Sequence, residues 1–371
     1  MTSTFGTVLK VSLFGESHGP AVGCVVDSPP PGVAFDLAEA GRHMARRAPG
    51  QGGAWSTTRK EPDAPEVLSG LFRGRTTGTP LAALVRNVNV RSGDYAAIAD
   101  TPRPGHGDLT GRIRYGGFAD PRGGGHFSAR ATAGLCFAGA LALQALRARG
   151  VLVRARIAEI AGVPDGAAPS ALEPLPDLSG KALAVLDDAA GERMVREIER
   201  ARGDGDSVGG VVEVRASGFP AGVGAPFFDR VETRLGAMLF SLNAVRGVEF
   251  GDGFAAARRR GSENNDPPVP APSGAPGPLG VSRATNRAGG AEGGISTGLP
   301  VIARVAFKPT PSVSRPQRTV DLSTGRETGI RVPGRHDPCV VPRAVPLVES
   351  AVAFALWDLL LENAAAAASL P

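Results

Sequence analysis

Four of the five histidines, His18, His106, His126 and His336, stand among Gly, Ser, Arg and Asp rather than on an apolar face. Histidine titrates near neutral pH, so this placement marks loops in which protons could be moved. His18 lies in Gly15-Glu16-Ser17-His18-Gly19, where flanking glycines let backbone and imidazole approach a ligand closely. His106 lies in Arg103-Pro104-Gly105-His106-Gly107-Asp108, a rigid turn three residues from a guanidinium. The Arg fork fits phosphate or carboxylate, and the imidazole can give a proton to a departing phosphate. A turn whose Arg only pairs with a surface carboxylate is the plainer alternative. His43 falls inside a helical run and reads as structural.

In Arg122-Gly123-Gly124-Gly125-His126-Phe127-Ser128-Ala129-Arg130 a glycine run opens onto a helix N-terminus, whose free N–H groups and dipole favour an anion. No Lys completes a P-loop there, and 203–209 has no preceding strand for a dinucleotide fingerprint, so neither ATP nor a Rossmann nucleotide is supported. A second glycine-rich turn, 289–294, precedes Lys308 and then Arg335-His336-Asp337. Backbone donors beside a basic or hydroxyl cradle suit a flat, anionic cofactor such as a flavin. No metal site is expected, because no two His or Cys residues show ligand spacing and the carboxylates are isolated. Cys24, Cys136 and Cys339 lie far apart and read as ordinary small side chains.

These loops need a scaffold. Alternation predicts strands at Phe5–Leu13, Ala21–Asp27, Val67–Phe72, Leu81–Val85, Val151–Ile160, Gly209–Ala216 and Pro300–Phe307. Helices are expected from an Asp36 cap to about Arg47, from Ser128 to about Arg149, over Asp229–Leu242 and over Val345–Asn363. Between them run a lid-like loop at 48–63, a long irregular stretch from Asn87 to His126, a Pro- and Ala-rich linker at 164–179, and a surface loop at 262–283. The irregular order points to a layered α+β architecture rather than a doubly wound sheet. The segment ESHGPAVGCVVDSPPPGV loosely matches GDSVGGVVEVRASGFPAGV, so one domain of two strand-turn-helix halves, about 1–163 and 180–371, is expected.

With 371 residues, 42% hydrophobic and 21% charged, the chain can bury a substantial core, which excludes disordered and fibrous classes. The net charge of +5 comes from dispersed residues, nearly all Arg, the lysines being Lys10, Lys60, Lys181 and Lys308 alone. Neither nucleic acid nor membrane is an expected partner: the longest uncharged stretch, Ala131–Leu146, is shorter than the ~20 residues of a span. The N-terminus lacks a signal-peptide pattern, and a cytoplasmic location is the expectation.

Taken in order, GESHG (15–19), RPGHGD (103–108), GGGHFSAR (123–130), NAVRGVEFGDGF (243–254), GGAEGGISTG (289–298), KPTPS (308–312) and GRHDP (334–338) resemble the chorismate synthase family over nearly the whole chain. The resemblance implies a β-α-β sandwich with mixed antiparallel sheets and helices between them, assembled as a homotetramer. It implies a lyase that eliminates phosphate and a ring proton, in a trans-1,4 sense, from 5-enolpyruvylshikimate 3-phosphate. Reduced FMN is the implied cofactor, with no net redox change and with NADPH as an external reductant. Arg47, Arg103, Arg130 and Arg335 would bind the phosphate and carboxylates, and Ser17 and Ser128 would add hydroxyl contacts. By the same resemblance His106 would protonate the leaving phosphate, His18 would act at the reduced flavin, and Asp337 would assist proton removal near the flavin's central nitrogen. The implied FMN contacts are His126, Phe127, Ser128, Asn243, Ala244, Gly293, the run Lys308, Pro309, Thr310, Pro311 and Ser312, and Arg335.

Two places depart from the family's common pattern. The usual RRRPG run is Arg46-Arg47-Ala48-Pro49-Gly50 here, with no Arg in the following Gln51–Trp55, and His126-Phe127 stand where Arg and Ser are frequent. These departures keep a second reading in view, an inactive basic RNA-binding or interaction protein on the same fold.

Overall fold

A computed structural model describes residues 3–50, 53, 55–56, 62–88, 100–166, 169–271, 278–332 and 336–367. Two five-stranded antiparallel sheets hold the helices between them. The first sheet runs Thr4–Phe5, Lys10–Gly15, Ala21–Asp27, Leu81–Arg86, Pro65–Ser69 in spatial order. The second runs Val245–Phe250, Val301–Phe307, Gly210–Ser217, Leu152–Ile160, Val163–Pro164. Central strands are registered by apolar pairs such as Cys24 with Ala83 and Val214 with both Ala303 and Ala155.

Helix Thr132–Arg147 is almost wholly buried, as expected of a helix apolar on every side. It packs on the first sheet and against the C-terminal helix Val341–Ala367, which covers the second sheet. The two helices approach closely because Gly139 has no side chain: a Cβ there would stand 2.1 Å from that of Ser350. Both are long and apolar enough to cross a membrane by composition, but 89% of each window is buried inside the protein, which makes them its core. The uncharged-stretch criterion of the sequence did not register the second, because Arg343, Glu349 and Asp358 interrupt it.

The strand expected over Phe5–Leu13 is broken. Asp358, buried in the C-terminal helix, accepts hydrogen bonds from the amides of Thr7, Val8 and Leu9 at 2.8–2.9 Å and bends the chain into a turn. Helix Asp188–Gly203, capped by Asp187, was not expected. The surface loop at 262–283 contains a short hairpin, Pro268–Pro270 with Val281–Arg283, and 317–330 forms another. Strand Leu152–Ile160, placed by the sequence in the first half, pairs in the second sheet.

Each sheet is followed by the same local device. Thr76 Oγ1 donates to Pro30 O at 2.6 Å and accepts from the Val33 amide at 2.9 Å. Ser296 Oγ repeats this with Pro220 O at 2.6 Å and the Val223 amide at 2.9 Å. In both sheets the next strand leads, through a long connection, into one of the two core helices. Those two connections, 87–131 and 308–340, carry most of the chemistry-bearing residues.

Candidate active site

A cleft of about 520 Å³ opens where the two connections meet. Its lining includes Ser17, Arg47, Arg103, His106, Phe127, Ser128, Arg130, Asn243, Ala244, Lys308, Thr310, Pro311, Ser312 and Asp337. Residues far apart in sequence, from both halves, are therefore gathered in one place.

The glycine run makes this gathering sterically feasible. Gly123, Gly124 and Gly125 all have left-handed backbones, with φ of 60°, 84° and 52°. A Cβ on Gly123 would stand 2.4 Å from His18 Cδ2 and 2.8 Å from Ser17 Oγ, and one on Gly124 would stand 2.9 Å from His106 Cε1. Only glycine admits that conformation and both imidazoles at once. The run thus separates and seats two histidines, a role beyond the anion cradle expected of it.

On one side, His106 Nδ1 lies 2.6 Å from Asp108 Oδ1, a contact that calls for a proton on Nδ1 and leaves Nε2 turned to Gly124. Arg103 binds the same carboxylate through Nε at 2.7 Å and Nη2 at 2.8 Å, and donates from Nη1 to Ser312 Oγ at 3.1 Å. Burial pushes the Asp108 carboxyl up, but the bonds from Arg103 and His106 outweigh it and hold the group well below the usual carboxylate range. Lys308 Nζ donates to Gly105 O, so the His106 turn is tied to the 308–312 run at two points. Burial, reinforced by Arg246, lowers the Lys308 ammonium from its ordinary value.

On the other side, His18 sits beside Ser17 and Gly123, behind the wall of the cleft. Its loop is fixed by Asn87, whose Nδ2 donates to Glu16 O and Gly19 O at 2.9 and 2.8 Å. Asn87 Oδ1 in turn accepts from Arg130 Nε at 2.8 Å. Arg130 also donates to Arg86 O at 3.0 Å and pairs with Asp63. Arg47, 3% exposed, lies 3.1 Å from the same Asp63. Burial lowers the Arg47 guanidinium from its ordinary value; Asp63 opposes this, while Arg343 and Arg130 add to it. Arg47 Nε has no hydrogen-bond partner among the described residues, although it is buried in the cleft wall. An anion entering there would give it one.

Asp337 faces the cleft paired with Arg343, whose Nε also donates to Arg47 O at 2.7 Å. Asn243 Nδ2 donates to Phe127 O at 2.9 Å, and the Phe127 ring covers Gly107 and Gly111. Ala244, with a φ of 69°, accepts from the Lys308 amide at 2.9 Å. Thr310 Oγ1 is buried without a hydrogen-bond partner among the described residues. With Lys308, Ser312 and the aromatic face of Phe127 nearby, this donor set fits a flat anionic cofactor.

Some expected residues lie elsewhere. His126 turns away, its Nδ1 2.8 Å from Gly15 O and its Nε2 3.2 Å from Ser3 Oγ, so it braces the glycine run from outside. Gly293 tips the hairpin 291–296 and is not among the lining residues, and neither is Pro309. Arg335 and half of the lid segment (51–52, 54 and 57–61) lie outside the described residues. The sequence reading missed Asp63, Asp108, Arg246 and Arg343. Asp108 and Arg246 stood inside quoted motifs, whereas Asp63 and Arg343 carry no local signal that separates them from surface charges.

A profile of the chorismate synthase family matches residues 9–361. The chain belongs to the chorismate synthase family. It is 47% identical over 360 residues to the chorismate synthase of Thermococcus kodakarensis, covering 97% of this chain and 98% of that protein. It is 49% identical over 358 residues to that of Pyrococcus abyssi, covering 96% and 97%. A solved structure titled "Crystal Structure of Chorismate Synthase" superposes with a TM-score of 0.74 at 27% identity, covering 97% of this chain and 93% of that one. The fold is accordingly the α+β sandwich of this family, and the comparisons give the RNA-binding reading no support.

Proposed function

We propose that the protein converts 5-enolpyruvylshikimate 3-phosphate to chorismate and phosphate, a lyase reaction that depends on reduced FMN. What carries this reading is the meeting of Ser17, Arg47, Arg103, His106, Ser128, Arg130, Lys308 and Asp337 in one cleft of a chain belonging to this family. The residues that would hold the flavin are Phe127, Asn243, Ala244, Lys308, Thr310, Pro311 and Ser312, with Arg335 added by family resemblance. When bound, reduced FMN supplies electron density that eases breakage of the carbon–oxygen bond to phosphate. We further propose that NADPH is the ultimate external reductant and that the chain works as a cytoplasmic homotetramer.

Arg47 and Arg130 hold the substrate's anionic groups and stabilise charge as phosphate departs. Ser17 and Ser128 add hydroxyl donors, and Asp337, braced by Arg343, assists removal of the ring proton. The contacts favour exchanging the histidine roles that resemblance alone implied. The His106 turn is bonded to the 308–312 run, the flavin side. The His18 loop is bonded through Asn87 to Arg130, the anion side. His18 is therefore assigned to the leaving phosphate, and His106 holds its proton on the flavin side.

The test is anaerobic incubation of purified protein with substrate and chemically reduced FMN, following chorismate and phosphate together. Equal yields of both, absent with oxidised FMN, are expected. Absence of both products despite flavin binding would overturn the reading.

A further inference from the structure

We infer that Asp63 is a positioning residue that sets the geometry of the anion clamp. The inference rests on the cleft assignment above. Asp63 is fully buried, and its carboxylate lies between two guanidiniums from separate elements: Arg47, last residue of helix Leu37–Arg47, and Arg130, in the turn that starts the first core helix. Its backbone is left-handed, at φ 47°, a conformation that a non-glycine residue keeps only where its surroundings hold it.

Those surroundings are rigid. Two residues on, Pro65 pairs with Val85 in the first sheet, and the carbonyl of the adjacent Arg86 accepts from Arg130 Nη2 at 3.0 Å. One edge of the sheet thus locates both the carboxylate and one of the cations that it binds. Two buried guanidiniums without Asp63 would repel each other and swing apart. Its carboxylate holds them together, in a wall where Arg47 Nε still lacks a partner among the described residues.

Asp63→Asn removes the charge and keeps the shape. Substrate binding, measured by calorimetry with 5-enolpyruvylshikimate 3-phosphate on the FMN-loaded protein, is expected to weaken at least 10-fold, since misplacing such clamps by about 1 Å costs up to ~10²-fold. FMN affinity is expected to stay within twofold, because Asp63 touches none of the flavin-side residues. In an Arg47→Ala background the same change is expected to cost clearly less than in wild type, because only Arg130 is left for Asp63 to position. Where Asp63→Asn does not fold, Asp63→Glu carries the test: it keeps the charge, moves it by one methylene, and is expected to weaken substrate binding at least 10-fold with unchanged melting temperature. Substrate binding within twofold of wild type in both variants overturns the proposal, as does an Asp63→Asn penalty that adds in full to that of Arg47→Ala. Binding is scored without turnover, so an enzyme that binds substrate but makes no chorismate would fail the functional reading and leave this one intact.

Discussion

Two of the buried arginine clusters among the described residues differ in one respect. On the second sheet, Arg156 binds Asp165 at 2.8 Å and Glu213 at 2.9 Å, and Arg215 binds Glu213 at 2.8 Å. Two cations meet two anions, and Arg215 spends its remaining donors on the carbonyls of Pro169, Ser170 and Glu173, fastening the Pro-rich linker. At the cleft, Arg47 and Arg130 share Asp63, and both guanidiniums line the cavity. Each cluster leaves one buried Nε, of Arg156 and of Arg47, without a hydrogen-bond partner among the described residues. Arginine type and burial are the same in both. What distinguishes them is place: Arg156 and Arg215 fasten a linker to the second sheet, whereas Arg47 and Arg130 line the cleft.

The largest effect is expected from breaking the balanced cluster. Asp165→Ala removes one of the two carboxylates of buried Arg156 and the acceptor of the Leu186 and Asp187 amides, so thermal or urea unfolding should show a loss of ~3–5 kcal/mol. The substrate affinity of the molecules that remain folded should change less than twofold. Arg47→Ala is the opposite case: kcat/KM is expected to fall ~10²–10³-fold, while stability stays within ~1 kcal/mol because Asp63 keeps Arg130 as partner.

Asp108→Asn tests whether an internally paired carboxylate can be functional. Asp108 is satisfied by Arg103 and His106, yet it fixes the imidazole proton on Nδ1. Steady-state kinetics should show kcat lower by ~10-fold with KM nearly unchanged. His43 gives the smallest effect at neutral pH. Burial, aided by Arg46, pushes its pKa down to about 3, so the folded state resists a proton that the unfolded chain accepts near 6.5. Stability from this group is complete above pH 6.5 and declines as pH falls towards 3, by at most ~1.4 kcal/mol per pH unit. His43→Gln should flatten that part of the acid unfolding curve.

Much of the cleft was legible in the sequence because its residues sit in glycine-rich motifs that no core strand or helix would tolerate. His106 and Arg103 are of this kind, while Lys308 and Ser312 stand in the Pro-rich KPTPS run. The strands Ala21–Asp27 and Gly210–Ser217 were legible from their apolar runs. What stayed hidden depends on distant partners. Asp358 breaks the first strand from more than 340 residues away, and Asp63 earns its place only once Arg47 and Arg130 converge on it. His126, placed at the flavin by resemblance, faces outward because Gly15 O and Ser3 hold its ring.

The central claim is that the Arg47–Asp63–Arg130 cluster at the cleft, not buried arginine as such, receives the substrate. Calorimetric titration of 5-enolpyruvylshikimate 3-phosphate onto the FMN-loaded protein addresses it in wild type, Arg47→Ala and Arg215→Met. One site per chain is predicted in wild type and in folded Arg215→Met, with binding reduced at least 100-fold in Arg47→Ala. Equal binding by wild type and Arg47→Ala would contradict the account.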